Sequence, residues 1–153
     1  MIATEQARQA WAASEPGTAL PNVTVPITRF KTALTPAVTL DGYPGHFSSA
    51  YARAAGLKTV FMNTMPLLGL LDRFATDWAG AEAFIARHEI DMVRPIYAGD
   101  VLTISGSVRG VSERETPGGR VQKLLDLACK IHDEHGELRV KGMVSLLMPD
   151  PVS

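Results

Sequence analysis

Three stretches late in the chain decide what it can fold into. Over Val101–Val111, Leu102, Ile104 and Val108 alternate with Thr103, Ser105, Ser107 and Arg109. Over Val121–Ile131, the residues Val121, Leu125, Leu127, Cys129 and Ile131 fall on one side. Leu138, Val140, Val144, Leu146 and Met148 do the same over Leu138–Met148. A period of two places every second side chain on one face of an extended strand. Thr116-Pro117-Gly118-Gly119 and His135-Gly136 supply the intervening turns. The pattern predicts three consecutive antiparallel strands with one apolar face in need of a cover.

The cover is predicted upstream. A helix begins at Asn63 or Thr64, both able N-caps, with Pro66 in the first turn, where its missing N–H costs nothing. Leu67, Leu70, Leu71 and Phe74 follow at helical spacing. Leu68 and Gly69 make the helix apolar almost all round, which predicts burial, with Trp78 covering its end. Other short elements are expected before and after it. They are a helix over 4–13, a strand over Val23–Thr28 with Pro26 at an edge, and an extended piece over Leu34–Leu40. A helix capped by Ser48-Ser49 and stopped by Gly56, and a short strand over Ile90–Val93, complete the set. The fold class is α+β, a curved antiparallel sheet wrapped around a central helix.

At 153 residues the chain reads as one domain, residues 1–153, with an ordinary soluble composition of 46% apolar and 20% charged residues. A net charge of −1 makes no electrostatic case for nucleic acid or an anionic membrane. The longest apolar run, Met65–Leu71, is too short and too interrupted to span a bilayer. No signal-peptide pattern is read at the N-terminus, and Cys129 is the only cysteine, which excludes an intrachain disulfide and a cysteine-rich zinc site. A cytoplasmic location is the simplest expectation.

Chemistry is most concentrated in Leu40-Asp41-Gly42-Tyr43-Pro44-Gly45-His46. Gly42, Pro44 and Gly45 favour an ordered turn over a helix, and such a turn can aim a carboxylate and an imidazole into one cleft. An Asp and a His sharing a water can add it to, or remove it from, an activated double bond. The same residues also suit a purely structural turn, since Asp commonly bonds its own backbone there. His132-Asp133-Glu134-His135 reads as a solvated turn whose spacing matches no helical His pair, so no metal site is expected. Neither a glycine-rich nucleotide fingerprint nor a Gly-x-Ser-x-Gly elbow is present. Cys129 lies in an alternating strand and reads as core.

Asp41-x-Tyr43-Pro44-x-His46 resembles the Asp-x-Asn-Pro-x-His signature of the MaoC-like hydratases, and Arg94-Pro95-x-x-x-Gly99-Asp100 resembles that family's turn into its later strands. The resemblance covers roughly residues 20–148. A narrower similarity, to the short MaoC-like subunits of steroid side-chain enoyl-CoA hydratases, lies in Val60-Phe61-Met62-Asn63, Leu70–Phe74 and Thr76–Gly80. It implies a hotdog fold and reversible hydration of a trans-2-enoyl-CoA, with Asp41 and His46 activating the water. No cofactor is implied beyond the CoA thioester, which is the substrate.

The sequence departs from the family pattern at Tyr43 for Asn, at Ser48 for Asp, and at Asn63-Thr64 for the His-Gly that opens the central helix. The backbone N–H of Thr64 is implied as the thioester-oxygen donor, with Asn63 and Tyr43 as substrate-binding neighbours. The resemblance also implies a homodimer or a heteromer with a second MaoC-like hotdog chain. Two rival roles stay open: a non-catalytic hotdog subunit completing a partner's pocket, and a hotdog acyl-CoA thioesterase.

Overall fold

The computed structural model describes residues 11–115, 118–119 and 121–148. Among these residues, five strands form one antiparallel sheet: β1 (Ala19–Pro26), β2 (Phe84–Met92), β3 (Val101–Glu115), β4 (Val121–His132) and β5 (Leu138–Leu147). Their spatial order is β1-β3-β4-β5-β2, so the hairpins predicted from the late alternation are the centre of the sheet. Pro26 sits at the end of β1 on an outer edge, paired with Val101, where its lost donor is harmless. The β2 strand is longer than the sequence suggested. Its outward Arg87, Glu89 and Asp91 hide an alternation whose other side carries Ala86, His88 and Ile90.

Helices α1 (Arg29–Thr39), α2 (Ser49–Ala54) and α3 (Thr64–Ala79) accompany the sheet. The expected caps of α2 are present, with Ser48 Oγ accepting from Tyr51 N–H at 3.3 Å and Gly56 at φ +82°. The long helix α3 crosses the sheet face and buries Leu67, Leu71, Phe74, Ala75, Trp78 and Ala79. Opposite them lie Leu102, Ile104, Leu125, Leu127, Ile131, Val140, Val144 and Leu146 in one core. Each fully buried leucine there contributes about 2 kcal/mol of transfer free energy. Trp11 joins this core and is helical with Ala12, whereas residues 4–10 of the helix expected over 4–13 lie outside the described residues, as do Thr116 and Pro117 of the first turn.

Helix α3 is not buried all round. Met65, Gly69, Arg73 and Asp77 form an exposed stripe, and Arg73 and Asp77 pair along it at 3.2 Å. The sheet covers one face only, so an apolar composition overstated the burial.

Residues 34–40 are also corrected: most belong to α1, not to an extended segment. Thr28 caps the helix by accepting from Lys31 N–H at 3.2 Å. The hydroxyls of Thr32, Thr35 and Thr39 donate to the carbonyls of Arg29, Lys31 and Thr35 at 2.8–2.9 Å, which lets β-branched residues serve a helix. Pro36 is accommodated near the C-terminal end, and Leu40, at φ +57°, turns the chain out of it. The N–H groups of Leu40 and Asp41 both bond the Pro36 carbonyl.

Close packing at two strand positions needs glycine. A Cβ on Gly142 would lie 2.6 Å from the Glu89 carbonyl oxygen and 2.8 Å from Leu71 Cδ1, and one on Gly106 would meet Phe74 Cε1 at 2.8 Å. Backbone cannot yield as a side-chain tip can. Gly142→Ala is therefore expected to cost about 1–3 kcal/mol in urea unfolding, through overpacking. Wild-type stability in that variant would contradict the contact. Among the described residues, no helix is long and apolar enough to cross a membrane.

Candidate active site

The end of α1 delivers Asp41 to a turn that needs it. Asp41 Oδ1 accepts from Tyr43 N–H at 3.2 Å, and Pro44–His46 close a single 3₁₀ turn before Ser48 opens α2. Oδ1 thus performs the structural role that turn aspartates often have, while Oδ2 is left facing His46 Nε2 at 3.2 Å. The carboxylate is 38% exposed and the imidazole 6%, so the open side of the pair is the carboxylate side.

The histidine ring is fixed from behind. Its Nδ1 lies 2.8 Å from the Phe61 carbonyl oxygen, an atom that can only accept, which puts the hydrogen on Nδ1. In the neutral ring Nε2 then carries a lone pair aimed at a carboxylate oxygen. Two acceptors at this separation need a proton between them or a water donating to one of them. Rings pack round the imidazole edge-to-face: Phe61 at 4.6 Å and Tyr43 at 5.4 Å between centroids, with Tyr51 against Tyr43 at 5.6 Å. Gly45 permits this closeness, because a Cβ there would fall 2.5 Å from Tyr43 Cε1.

The segment that supplies the Phe61 carbonyl continues into the start of α3. Asn63 is its N-cap residue but makes no side-chain capping bond; Nδ2 donates instead to Thr39 Oγ1 at 2.7 Å. Asn63 is 3% exposed, and its Oδ1 is buried without a partner. Thr64 is the first helical residue, where backbone N–H groups have no intrahelical acceptor, and its hydroxyl turns to Met92 Sδ at 3.2 Å. The structure therefore brings Asp41, Tyr43 and His46 into direct contact and joins them through Phe61 and Thr39 to the Asn63-Thr64 helix start.

Two cavities border these elements. A groove of about 500 Å³ runs between β1, α1 and α3, lined by Val25, Ile27, Thr35, Gly69, Leu70 and Phe74 among others, and touches neither Asp41 nor His46. A shallower hollow of about 320 Å³, lined by Pro36, Leu40, Asp41, Gly42 and Phe47, opens beside the carboxylate. The smaller hollow is the one beside the candidate pair.

Elsewhere the expectations divide. Cys129 is buried, and burial pushes its thiol up to about 11, leaving it an inert core residue. Among the described residues, no cluster of three or more His, Cys, Asp or Glu side chains could hold a metal. The His132–His135 turn is not merely solvated. The Asp133 side chain is 1% exposed, accepts from the His135 and Glu137 N–H groups, and pairs with Arg139. A second Asp–His pair escaped the sequence reading: His88 Nδ1 on β2 lies 2.8 Å from Asp72 Oδ1 on α3. Burial raises the Asp72 carboxyl from its ordinary value, and the nearby His88 partly offsets this. Sixteen residues of separation between a helix and a strand leave no motif to find it by.

No family model matches the chain. Among characterised proteins, it is 33% identical over 101 residues to the 3-oxo-4,17-pregnadiene-20-carboxyl-CoA hydratase beta subunit of Mycobacterium tuberculosis, covering 60% of this chain and 78% of that protein. The ChsH1-ChsH2 complex from Mycobacterium tuberculosis contains a chain that superimposes with a TM-score of 0.78 at 28% identity, covering 88% of this chain and 98% of that one. The (R)-hydratase from A. caviae involved in PHA biosynthesis shares the fold, with a TM-score of 0.77 at 19% identity over 90% of this chain and 98% of that one. Sheet order, central helix and these likenesses agree that the chain has the hotdog fold and belongs to the MaoC-like hydratase and dehydratase family, beside the beta subunit of the steroid side-chain hydratase.

Proposed function

We propose that this chain, as one MaoC-like domain, hydrates a trans-2-enoyl-CoA reversibly and carries the acid–base pair of that reaction. The observation behind the reading is the orientation of His46: Nδ1 committed to the Phe61 carbonyl, Nε2 turned on Asp41 Oδ2 at 3.2 Å. A water held by Nε2 and Oδ2 gives up a proton to the pair as its oxygen attacks C3 of the enoyl group. The pair then returns a proton to C2 on the same face, so one water is added and both residues end as they began. Negative charge builds on the thioester oxygen meanwhile, and the Thr64 N–H at the start of α3 stabilises it, with the helix dipole in support. Tyr43 and Asn63 border the reacting carbons, and the reaction needs no metal or further cofactor.

The acyl group is of the bulky steroid side-chain or fatty acyl kind. Support comes from the 33% identical relative, whose name gives such a substrate, and from the mainly apolar groove of about 500 Å³ beside α3. A second MaoC-like hotdog chain, identical or homologous, completes the working enzyme, as the two-chain complex containing the 28% identical relative suggests.

The test is to purify the chain alone and with a homologous hotdog partner and to supply 2-enoyl-CoA and saturated acyl-CoA thioesters. Loss of enoyl-thioester absorbance without thiol release is expected. Release of free CoA from saturated substrates would instead make the chain a thioesterase, and hydration that depends only on the partner's own acid–base pair would make it a non-catalytic subunit.

A further inference from the structure

The contacts round the candidate pair close into a ring. From Asp41 the path runs to His46 at 3.2 Å, to the Phe61 carbonyl at 2.8 Å, along the backbone through Met62 to Asn63, across 2.7 Å to Thr39, and back through Leu40 to Asp41. Every link is either a hydrogen-bond-length contact or one or two residues of chain. Leu40, held left-handed with its own N–H and that of Asp41 on the Pro36 carbonyl, passes the position of Thr39 directly to Asp41.

The link between Asn63 and Thr39 has a fixed sense. Thr39 gives its single hydroxyl hydrogen to the Thr35 carbonyl at 2.8 Å, so toward Asn63 it can only accept, and the amide must present Nδ2. That leaves Oδ1 buried and unpartnered at a helix start, although an Asn in this position ordinarily turns its oxygen to the first-turn N–H groups. Asn63 thus forgoes capping α3, and the first-turn N–H groups keep no acceptor from its side chain.

Resting on the hydration reading above, we infer that Asn63 is a positioning residue: it ties the end of α1 to the start of α3 and so holds the Asp41–His46 pair in register with the Thr64 N–H. Breaking the tie opens the ring and lets the carboxylate move relative to both imidazole and helix start. A misplacement of about 1 Å can cost a hundredfold in rate without weakening binding.

The experiment compares Thr39→Val, Thr39→Ser, Asn63→Ala and the Thr39→Val/Asn63→Ala double variant in the full chain with its partner. Thr39→Val and Asn63→Ala are expected to lower kcat roughly ten- to hundredfold, with KM changed less than about twofold. The double variant should be no slower than the worse single one, because both remove the same link. Thr39→Ser, which keeps the hydroxyl, should restore kcat. In parallel, the imidazole ¹⁵N signals of His46 should shift in Thr39→Val and return in Thr39→Ser. Full kcat in Thr39→Val, additive losses, no rescue by Thr39→Ser, or unmoved His46 signals would each overturn the inference. If the wild-type assembly hydrates no enoyl-CoA, the functional reading falls, and the His46 signals alone decide whether the tie exists.

Discussion

Asp41→Asn should leave the fold intact and lower enoyl-CoA hydration by a factor of a hundred or more. The change keeps Oδ1, so the bond from Tyr43 N–H that shapes the turn survives. It replaces Oδ2, the atom 3.2 Å from His46 Nε2, with an NH2 group that can donate to that lone pair. Donation there satisfies the imidazole and displaces the water both residues would share. Acid–base groups of this kind contribute about 10²–10⁴ in rate. His46→Ala should be as damaging to kcat but also less stable, because it leaves the Phe61 carbonyl without its donor and opens a gap among Tyr43 and Phe61. Asp41→Asn is therefore the cleaner variant: its circular dichroism and melting curve should match wild type while turnover collapses. Undiminished turnover in either variant would rule out the mechanism.

Breaking the Asp133–Arg139 pair should produce the largest loss of stability of any single polar substitution described above. Asp133 accepts two backbone N–H bonds and pairs with the Arg139 guanidinium at 2.5 Å, while Arg139 also donates to the Pro95 carbonyl at 3.1 Å. Removing one member of a buried pair strands the other, at a cost of about 3 kcal/mol or more. Arg139→Met and Asp133→Ala should each lower the urea midpoint accordingly.

The consequence reaches the candidate site. The connection at Pro95–Ala98 bonds Val60 and Met62, on either side of the Phe61 carbonyl that holds His46. Burial pushes the Asp133 carboxyl up, but the Glu137 N–H, the Arg139 guanidinium and the His135 N–H outweigh it and hold the group below its ordinary 3.8. A depressed carboxylate stabilises the fold at pH above 3.8, and that contribution disappears as pH falls through the lower folded value. Wild type should lose stability on acidification below that point more steeply than Asp133→Asn. Parallel acid curves for the two would refute the assignment.

What could be read from the chain itself follows a physical division. Elements held by a repeating apolar face were legible: β3, β4 and β5 through their alternation, and α3 through Leu67, Leu71 and Phe74. Helix α1 was not, because its threonines read as strand formers until their hydroxyls are seen bonding carbonyls one turn back, and because Pro36 argues against a helix interior. Asp41 and His46 were visible as a pair since a Gly/Pro turn brings neighbours in sequence together. The acceptor that orients His46 was invisible, being a backbone carbonyl with no side-chain signature. Asp133 looked like one more polar turn residue, and only the tertiary position of Arg139 makes it a buried acid.

Gly106 and Gly142 admit Phe74 and Leu71 so closely that even a methyl group at either position would collide with α3. The groove of about 500 Å³ therefore has one wall in α3, seated tightly on the sheet, and a second wall built from α1 and the edge strand β1. Under the proposed function, fitting acyl groups of different bulk falls to that second wall, where exposed residues such as Val23 and Thr24 can change size without disturbing the core. Diversification in chains of this design should concentrate there and spare the two glycines.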